Sequence, residues 1–352
     1  MKLRKSLSTI VPYSPGKLKE GAIKLASNEN PLGPSPKAIK RLQAMASQVY
    51  LYPDAGAVKL RDALASRLGV ERENLIVGNG SDEVLCLITG AYIEEGDVAV
   101  TSEHTFSEYT FATVLFGGQM RYAPMQQGRF DLEAILNRVD GRTKIIFLCN
   151  PNNPTGTSFG EQEFLKFMER VPKEVLVVSD EAYREYVDRQ DFPNTIRHLA
   201  QYPNLVVLRT FSKIYGLAGL RVGYGVGAQE TISDFFKTKT PFNVNLLAQE
   251  AALAALEDEE FVQNSITSNQ EGKEFLYKEF ERLGLFYYPT DANFICVQVK
   301  RDSMEVFQKV MDLGVTIRPL RSFQLNDWIR VTIGTEEQNR TFIACLEKVL
   351  KA

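Results

Sequence analysis

Seven short apolar runs, mostly separated by stretches of helix length, restrict the fold of this chain more than any other feature. They are LIVG (75–78), VAVTS (98–102), RYAP (121–124), KIIFL (144–148), VLVVSD (175–180), LVVLRTF (205–211) and RVGYGVG (221–227). Runs of this kind alternating with helices argue for an α/β architecture, a mostly parallel sheet covered by helices on both faces. In such sheets ligands sit beyond the carboxyl ends of the strands. The residues just after each run are therefore the ones to read for chemistry.

The most informative stretch is TFSKIYGLAGLRVGYG (210–225). Lys213 stands in a turn of small and apolar residues, where loss of hydration lowers an amine's pKa and makes it a nucleophile toward aldehydes, as Schiff-base chemistry requires. Arg221 offers a flat guanidinium fork to an anchored phosphate, with the hydroxyls of Thr210 and Ser212 on the near side. Taken alone, such a segment more often marks a loop lysine beside an ion-paired arginine.

Other run ends shift that balance. After LIVG comes GNGSDE, in which Gly78, Gly80, Ser81 and Asp82 leave helix-start amides facing an anion. Ser81 also suits a plain N-cap. The Asp82 carboxylate would repel a phosphate, so its amide is expected to matter more. This is not GxGxxG, and no acidic residue follows at dinucleotide spacing, so a nicotinamide site has little support. After VAVTS, Phe106 can lie flat on a heteroaromatic ring with Tyr109 nearby, although an aromatic here is more often core. After KIIFL, Asn153 is fixed between Asn152 and Pro154 and offers an amide to a ring oxygen. Asp180 closes an apolar strand, where a carboxylate needs a cationic partner such as a protonated pyridine nitrogen. Tyr183 then reaches a ring hydroxyl. Together these groups fit a phosphorylated aldehyde cofactor.

Composition narrows the alternatives. The 352 residues are 44% hydrophobic and 24% charged, with a net charge of −3 and both signs interspersed. That describes a globular chain with room for a large core and a second, smaller domain. No basic face argues for nucleic acid, and nothing approaches the roughly 18 apolar residues of a membrane-spanning helix. The opening MKLRKSLSTIVPYSPG has too short an apolar run for an export signal, so a cytoplasmic protein is expected. Cys86, Cys149, Cys296 and Cys345 lie far apart and read as reduced core thiols. His104 and His198, the only histidines, sit in no ligand-spaced cluster; no metal is expected, and acid–base work falls to Lys213. The turn Asn28-Glu29-Asn30 before Pro31 leads to Ser35, which can cap a helix begun by Pro36. That turn suits a helix entry and a substrate-facing loop about equally.

NPNNPTG (150–156), SDEAY (179–183) and TFSKIYGLAGLRVGY (210–224), in that order and spacing, resemble the fold-type-I pyridoxal-phosphate aminotransferases. The resemblance covers nearly the whole chain. PYSPGK, LASNENPLGPSP, YLYPDAG, GNGSDE and the tail VTIRPLRSFQLNDWIRVTIGT most resemble the branch of that family acting on histidinol phosphate.

The resemblance implies a role for each residue in turn. Lys213 would bond to the cofactor aldehyde and then shuttle the proton, while Asp180 would keep the ring nitrogen protonated. Asn153 and Tyr183 would bond the ring hydroxyl, and Phe106 would stack on the ring. Ser212, Arg221 and the amides of Ser81 and Asp82 would hold the phosphate beside Thr210, with Tyr52 reaching it from a second subunit of a homodimer. Arg330 and Arg318 would bind substrate anions, with Tyr13 and Asn30 near the substrate. Two departures stand out: His104 occupies a position where the family usually has proline, and Phe106 one where it often has tyrosine. His104 has no implied catalytic role and is expected to be a hydrogen-bonded structural residue.

The domain organisation expected is an arm over 1–20, a large pyridoxal-phosphate domain over 48–248, and a small α+β domain from 21–47 and 249–352. The reaction implied moves an amino group between L-histidinol phosphate and 2-oxoglutarate, giving imidazole-acetol phosphate and L-glutamate in histidine biosynthesis. Alternatives are an aromatic amino-acid aminotransferase and a lyase resembling threonine-phosphate decarboxylase. The effector domain of a transcription regulator would need a basic DNA-binding segment that this sequence lacks.

Overall fold

The computed structural model describes residues 1–10 and 19–351. All seven apolar runs form strands of one sheet: β1 Leu75–Gly78, β2 Val98–Ser102, β3 Gln119–Ala123, β4 Thr143–Cys149, β5 Leu176–Asp180, β6 Leu205–Thr210 and β7 Gly223–Gly227. Their order across the sheet is β1-β7-β6-β5-β4-β2-β3. Strand β7 pairs antiparallel with β1 and β6, and the remaining pairs are parallel. Strands β1, β2, β5, β6 and β7 are buried throughout, which is why they read as unbroken apolar runs. Strand β3 lies at the edge with Gln119 exposed. The strand begins two residues before the run RYAP, at Gln119 and Met120, where the burial pattern is exposed and intermediate.

Five helices matter for the site: α1 Pro36–Met45, α2 Ser81–Tyr92, α3 Glu108–Leu115, α4 Leu246–Leu256 and α5 Glu259–Arg282. The entry to α1 follows the expected chemistry: Pro36 fills the first position and the Ser35 hydroxyl accepts the Ala38 amide at 3.3 Å.

A second sheet is built from β8 Tyr287–Tyr288, β9 Phe294–Gln298, β10 Arg318–Pro319 and β11 Trp328–Thr332, in the order β8-β9-β11-β10, all antiparallel. It packs with the helices Ser303–Asp312 and Glu336–Lys351 around its own cluster, which includes Val306, Phe307, Val331 and Phe342. The segment Ile23–Lys24 pairs in parallel with Val315–Thr316 and so ties the chain ahead of α1 to this second unit. Helices α1 and α4, by contrast, contribute Ala38, Ala248, Ala251, Ala252 and Ala255 to the core of the seven-stranded sheet. A division after residue 248 would therefore cut through α4. Among the described residues, no helix is long and apolar enough to cross a membrane.

Candidate active site

A cavity of about 390 Å³ opens at the carboxyl ends of the parallel strands, walled on its other side by the second sheet. Because β7 runs the other way, its entry loop meets the ends of β1 and β6 at the same edge. The cavity is thus lined by Ser81 and Asp82 after β1, Phe106 after β2, Asn153 after β4, Asp180 and Tyr183 at and after β5, and Thr210, Ser212 and Lys213 at and after β6. Arg221 lies just before β7, and Arg318 and Arg330 come from β10 and β11.

Lys213 is held by a tight turn. Gly216 has φ +68°, and a Cβ there would sit 2.1 Å from the Gly33 carbonyl oxygen, so the lysine loop packs directly on the turn before α1. The amine donates to the Ser27 carbonyl at 3.4 Å and stands 5.6 Å from the Tyr183 ring centroid. Burial, with the nearby Arg330 charge adding to it, pulls the amine down to about 8.

Asp180 ends β5 with 3% of its surface exposed. Burial pushes its carboxyl up to about 6, against hydrogen bonds from the Tyr109 hydroxyl at 2.7 Å and the Ala182 amide at 3.2 Å. Across the cavity, Arg330 donates to the Asn153 side-chain oxygen and to the Ala26 carbonyl, the latter at 2.8 Å. The first bond occupies the oxygen of Asn153, a residue that lines the cavity, and leaves its amide hydrogens as the groups it can offer there. Burial raises the Tyr183 phenol, whose oxygen accepts a hydrogen bond from Asn28 Nδ2 at 3.0 Å.

At the opposite end, α2 begins directly after Gly80, whose φ is +83°. A Cβ on Gly80 would lie 2.6 Å from Arg221 Nη2, and one on Gly223 would lie 2.4 Å from the Ser81 nitrogen. Both glycines therefore let the Arg221 guanidinium and the first amides of α2 converge. Arg221 donates to Ser212 Oγ at 3.4 Å and to the Asp82 carboxylate at 2.8 Å. The acidic group that would repel a phosphate is thus paired with the cation that would attract it.

Some expected residues lie elsewhere. Asn30 is buried outside the cavity: its amide donates to the Ile214 carbonyl and the Ser265 hydroxyl, both at 2.9 Å, so it joins the turn to the lysine loop and to α5. Asn30, expected near the substrate, thus stands beside the lysine loop and outside the cavity lining. Tyr52 is 82% exposed and stacks on Phe242 with centroids 4.7 Å apart, away from the cavity of its own chain. Tyr13 lies outside the described residues. Conversely, Asn28, Ser27 and Phe323 line the cavity, and Tyr109 backs it through Asp180. Their signals were faint: Asn28 shares a turn with Asn30, and Tyr109 looks like any core aromatic.

His104 is structural, as expected. Its Nδ1 lies 2.5 Å from the Phe323 carbonyl, and its side-chain bond joins the β2–α3 loop to the turn between β10 and β11. Its φ of +48° is closed to proline, which accounts for the departure at this position. Arg318 lines the cavity and enters no ion pair among the described residues.

The family profile described as aminotransferase class I and II matches residues 20–346. The chain belongs to this family. Within these aminotransferases it is 50% identical over 359 aligned residues to the histidinol-phosphate aminotransferase of Moorella thermoacetica, spanning 99% of this chain and 93% of that protein. The histidinol-phosphate aminotransferase of Halalkalibacterium halodurans is 45% identical, over 99% of this chain and 97% of its own. A solved structure of histidinol-phosphate aminotransferase from Sinorhizobium meliloti, in complex with pyridoxal-5'-phosphate, matches with a TM-score of 0.91 at 27% identity, covering 99% of this chain and 98% of that one. The seven-stranded sheet with its antiparallel β7 is thus the fold-type-I aminotransferase architecture.

Proposed function

We propose that this aminotransferase moves an amino group between L-histidinol phosphate and 2-oxoglutarate, in histidine biosynthesis, as a cytoplasmic homodimer using pyridoxal phosphate. The observation that carries the reading is one cavity that opposes an amine pulled down to about 8, Lys213, to a buried carboxylate, Asp180, with Arg318 and Arg330 on the facing wall. Full-length relatives carrying the histidinol-phosphate aminotransferase name support the choice of substrate.

The donor set suits the cofactor. When bound, pyridoxal phosphate supplies an aldehyde carbon and an electron-withdrawing ring. In this reading Asp180 faces the ring nitrogen, Tyr183 and Asn153 donate to the ring oxygen, and Phe106 covers a ring face. Thr210 and Ser212, Arg221 and the amides of Ser81 and Asp82 hold the phosphate. An amine at about 8 is neutral in a useful fraction of molecules near pH 7, so Lys213 can both attack and carry the proton. Arg330 and Arg318 fit a substrate that presents a carboxylate in one half-reaction and a phosphate in the other. Val49, Tyr50, Leu51 and Tyr52 form an exposed apolar turn beside Phe242, which suits a second subunit packing there and bringing Tyr52 to its partner's phosphate site.

The test is the visible spectrum of the holoenzyme as amino donors are added without any keto acid. Loss of the lysine-bound band at far lower histidinol phosphate than phenylalanine is expected. The reverse preference would make this an aromatic amino-acid aminotransferase, and carbon dioxide release from phosphothreonine would make it a lyase. The Lys213→Ala variant should retain the cofactor through its phosphate but lack the band; normal turnover by that variant would sink the assignment.

A further inference from the structure

Asp180 is set by a neighbour that does not line the cavity. Tyr109, the second residue of α3, has no exposed surface; its ring stacks on Phe147 with centroids 4.9 Å apart and planes 4° from parallel, and meets Phe106 edge-on at 5.6 Å. Its hydroxyl donates to Asp180 Oδ2 at 2.7 Å, and the Ala182 amide donates to Oδ1 at 3.2 Å. Among the described residues these are the donors that Asp180 has. The other titratable groups that interact with it are acidic or neutral: Asp82 on α2, Glu181 beside it in the chain, the Tyr183 phenol after β5, and the Cys149 thiol, its register partner on β4, which burial pushes up to about 12.

We propose that Tyr109 is a positioning residue that keeps Asp180 the weaker base of the pair it forms with the cofactor ring nitrogen, so that the shared proton stays on the ring. This rests on the reading that the ring nitrogen of pyridoxal phosphate meets Asp180. A carboxylate enclosed in apolar surroundings gains basicity until it rivals a pyridine nitrogen, and here burial already lifts it to about 6. A hydrogen bond donated to the charged form opposes that rise, typically by roughly tenfold to a hundredfold in the proton equilibrium. Without the hydroxyl the proton crosses from the ring nitrogen to Asp180, leaving both partners neutral and the total charge unchanged. A neutral ring withdraws less charge, so groups conjugated with it hold their protons to higher pH.

The Tyr109→Phe holoenzyme tests this, because phenylalanine keeps the stacking and removes only the hydroxyl. The pH midpoint of its visible absorption change should rise by about one pH unit. With ring-15N-labelled cofactor, the nitrogen resonance should move toward that of an unprotonated pyridine. The kcat should fall about tenfold or more while KM for the amino donor changes little. In an Asp180→Asn background, itself shifted upward, Tyr109→Phe should add nothing. A normal midpoint in Tyr109→Phe beside a shifted one in Asp180→Asn overturns the role of Tyr109. An unshifted Asp180→Asn instead overturns the placement of the ring nitrogen. If Tyr109→Phe fails to fold, 3,5-difluorotyrosine at 109, a stronger donor of nearly the same shape, must lower the midpoint; a rise or no change overturns the proposal.

Discussion

Asn28 donates its side-chain amide to the hydroxyl oxygen of Tyr183, 3.0 Å away and 155 positions along the chain. Asn28 belongs to the second unit by its backbone: its amide donates to Thr332 Oγ1 at 2.9 Å, and its carbonyl accepts from Asn293 at 3.0 Å. Its φ of 58° turns the side chain back toward the first sheet. Because Asn28 fills an acceptor site on the Tyr183 oxygen, the phenolic proton remains for the ligand.

Asn28→Ala is therefore expected to lower stability by about 1–3 kcal/mol, since it removes a buried partner and leaves alanine in a left-handed conformation. Urea unfolding of the cofactor-free protein measures this. Tyr183→Phe should be less than additive with it, as expected of residues sharing one bond.

The carboxyl of Asp180 is raised to about 6, so its contribution to folding is fully present below the unfolded value near pH 4 and is lost as pH rises through 6. Above pH 6 the native protein carries a buried carboxylate that is hydrogen-bonded but has no ion-pair partner among the described residues. Cofactor-free Asp180→Asn should consequently be more stable than the unmodified protein at pH 8, by up to about 3 kcal/mol. Thermal melts across pH 4 to 8 should show that advantage shrinking toward acid; an advantage independent of pH would remove the charge from the explanation.

Arg318 and Arg330 should separate in a mutational test. On the proposed reading Arg318 binds a substrate anion, so Arg318→Ala should raise KM by about two orders of magnitude without altering the unliganded spectrum. Arg330→Ala also frees Asn153, to which Arg330 is bonded, and so should shift the spectrum of the resting holoenzyme as well. Spectra taken before substrate is added distinguish the two.

Gly223→Ala would place a Cβ 2.4 Å from the Ser81 nitrogen. The start of α2 must then move. The expected result is at least a tenfold weaker hold on pyridoxal phosphate, measured by equilibrium dialysis, with the protein still folded.

Five of the strands were legible because burial on both faces leaves little room for polar residues, and most cavity residues could be found by reading past each strand. Lys213, Asp180 and Asn153 were visible on that rule alone, whereas Arg221, which precedes its strand, was visible from its place in the lysine segment. Asn30 and Asn28 were confused because one left-handed residue decides which of two asparagines in a turn meets the cavity, and composition does not carry a dihedral angle. Tyr109 hid for another reason. A phenol whose ring is core and whose oxygen serves a carboxylate 71 positions later looks like packing until the strands are assembled.

Thr210 and Gly223 are direct partners in the ladder between β6 and β7. The loop carrying Lys213 is therefore tied at its neck, with both ends fastened to adjacent strands of the same rigid floor. The two arginines hang from a different sheet. On the proposed reading, substitutions can reshape the wall that meets substrate while the Lys213 amine keeps its bearing, so new specificities become available without rebuilding the machinery that handles the nitrogen.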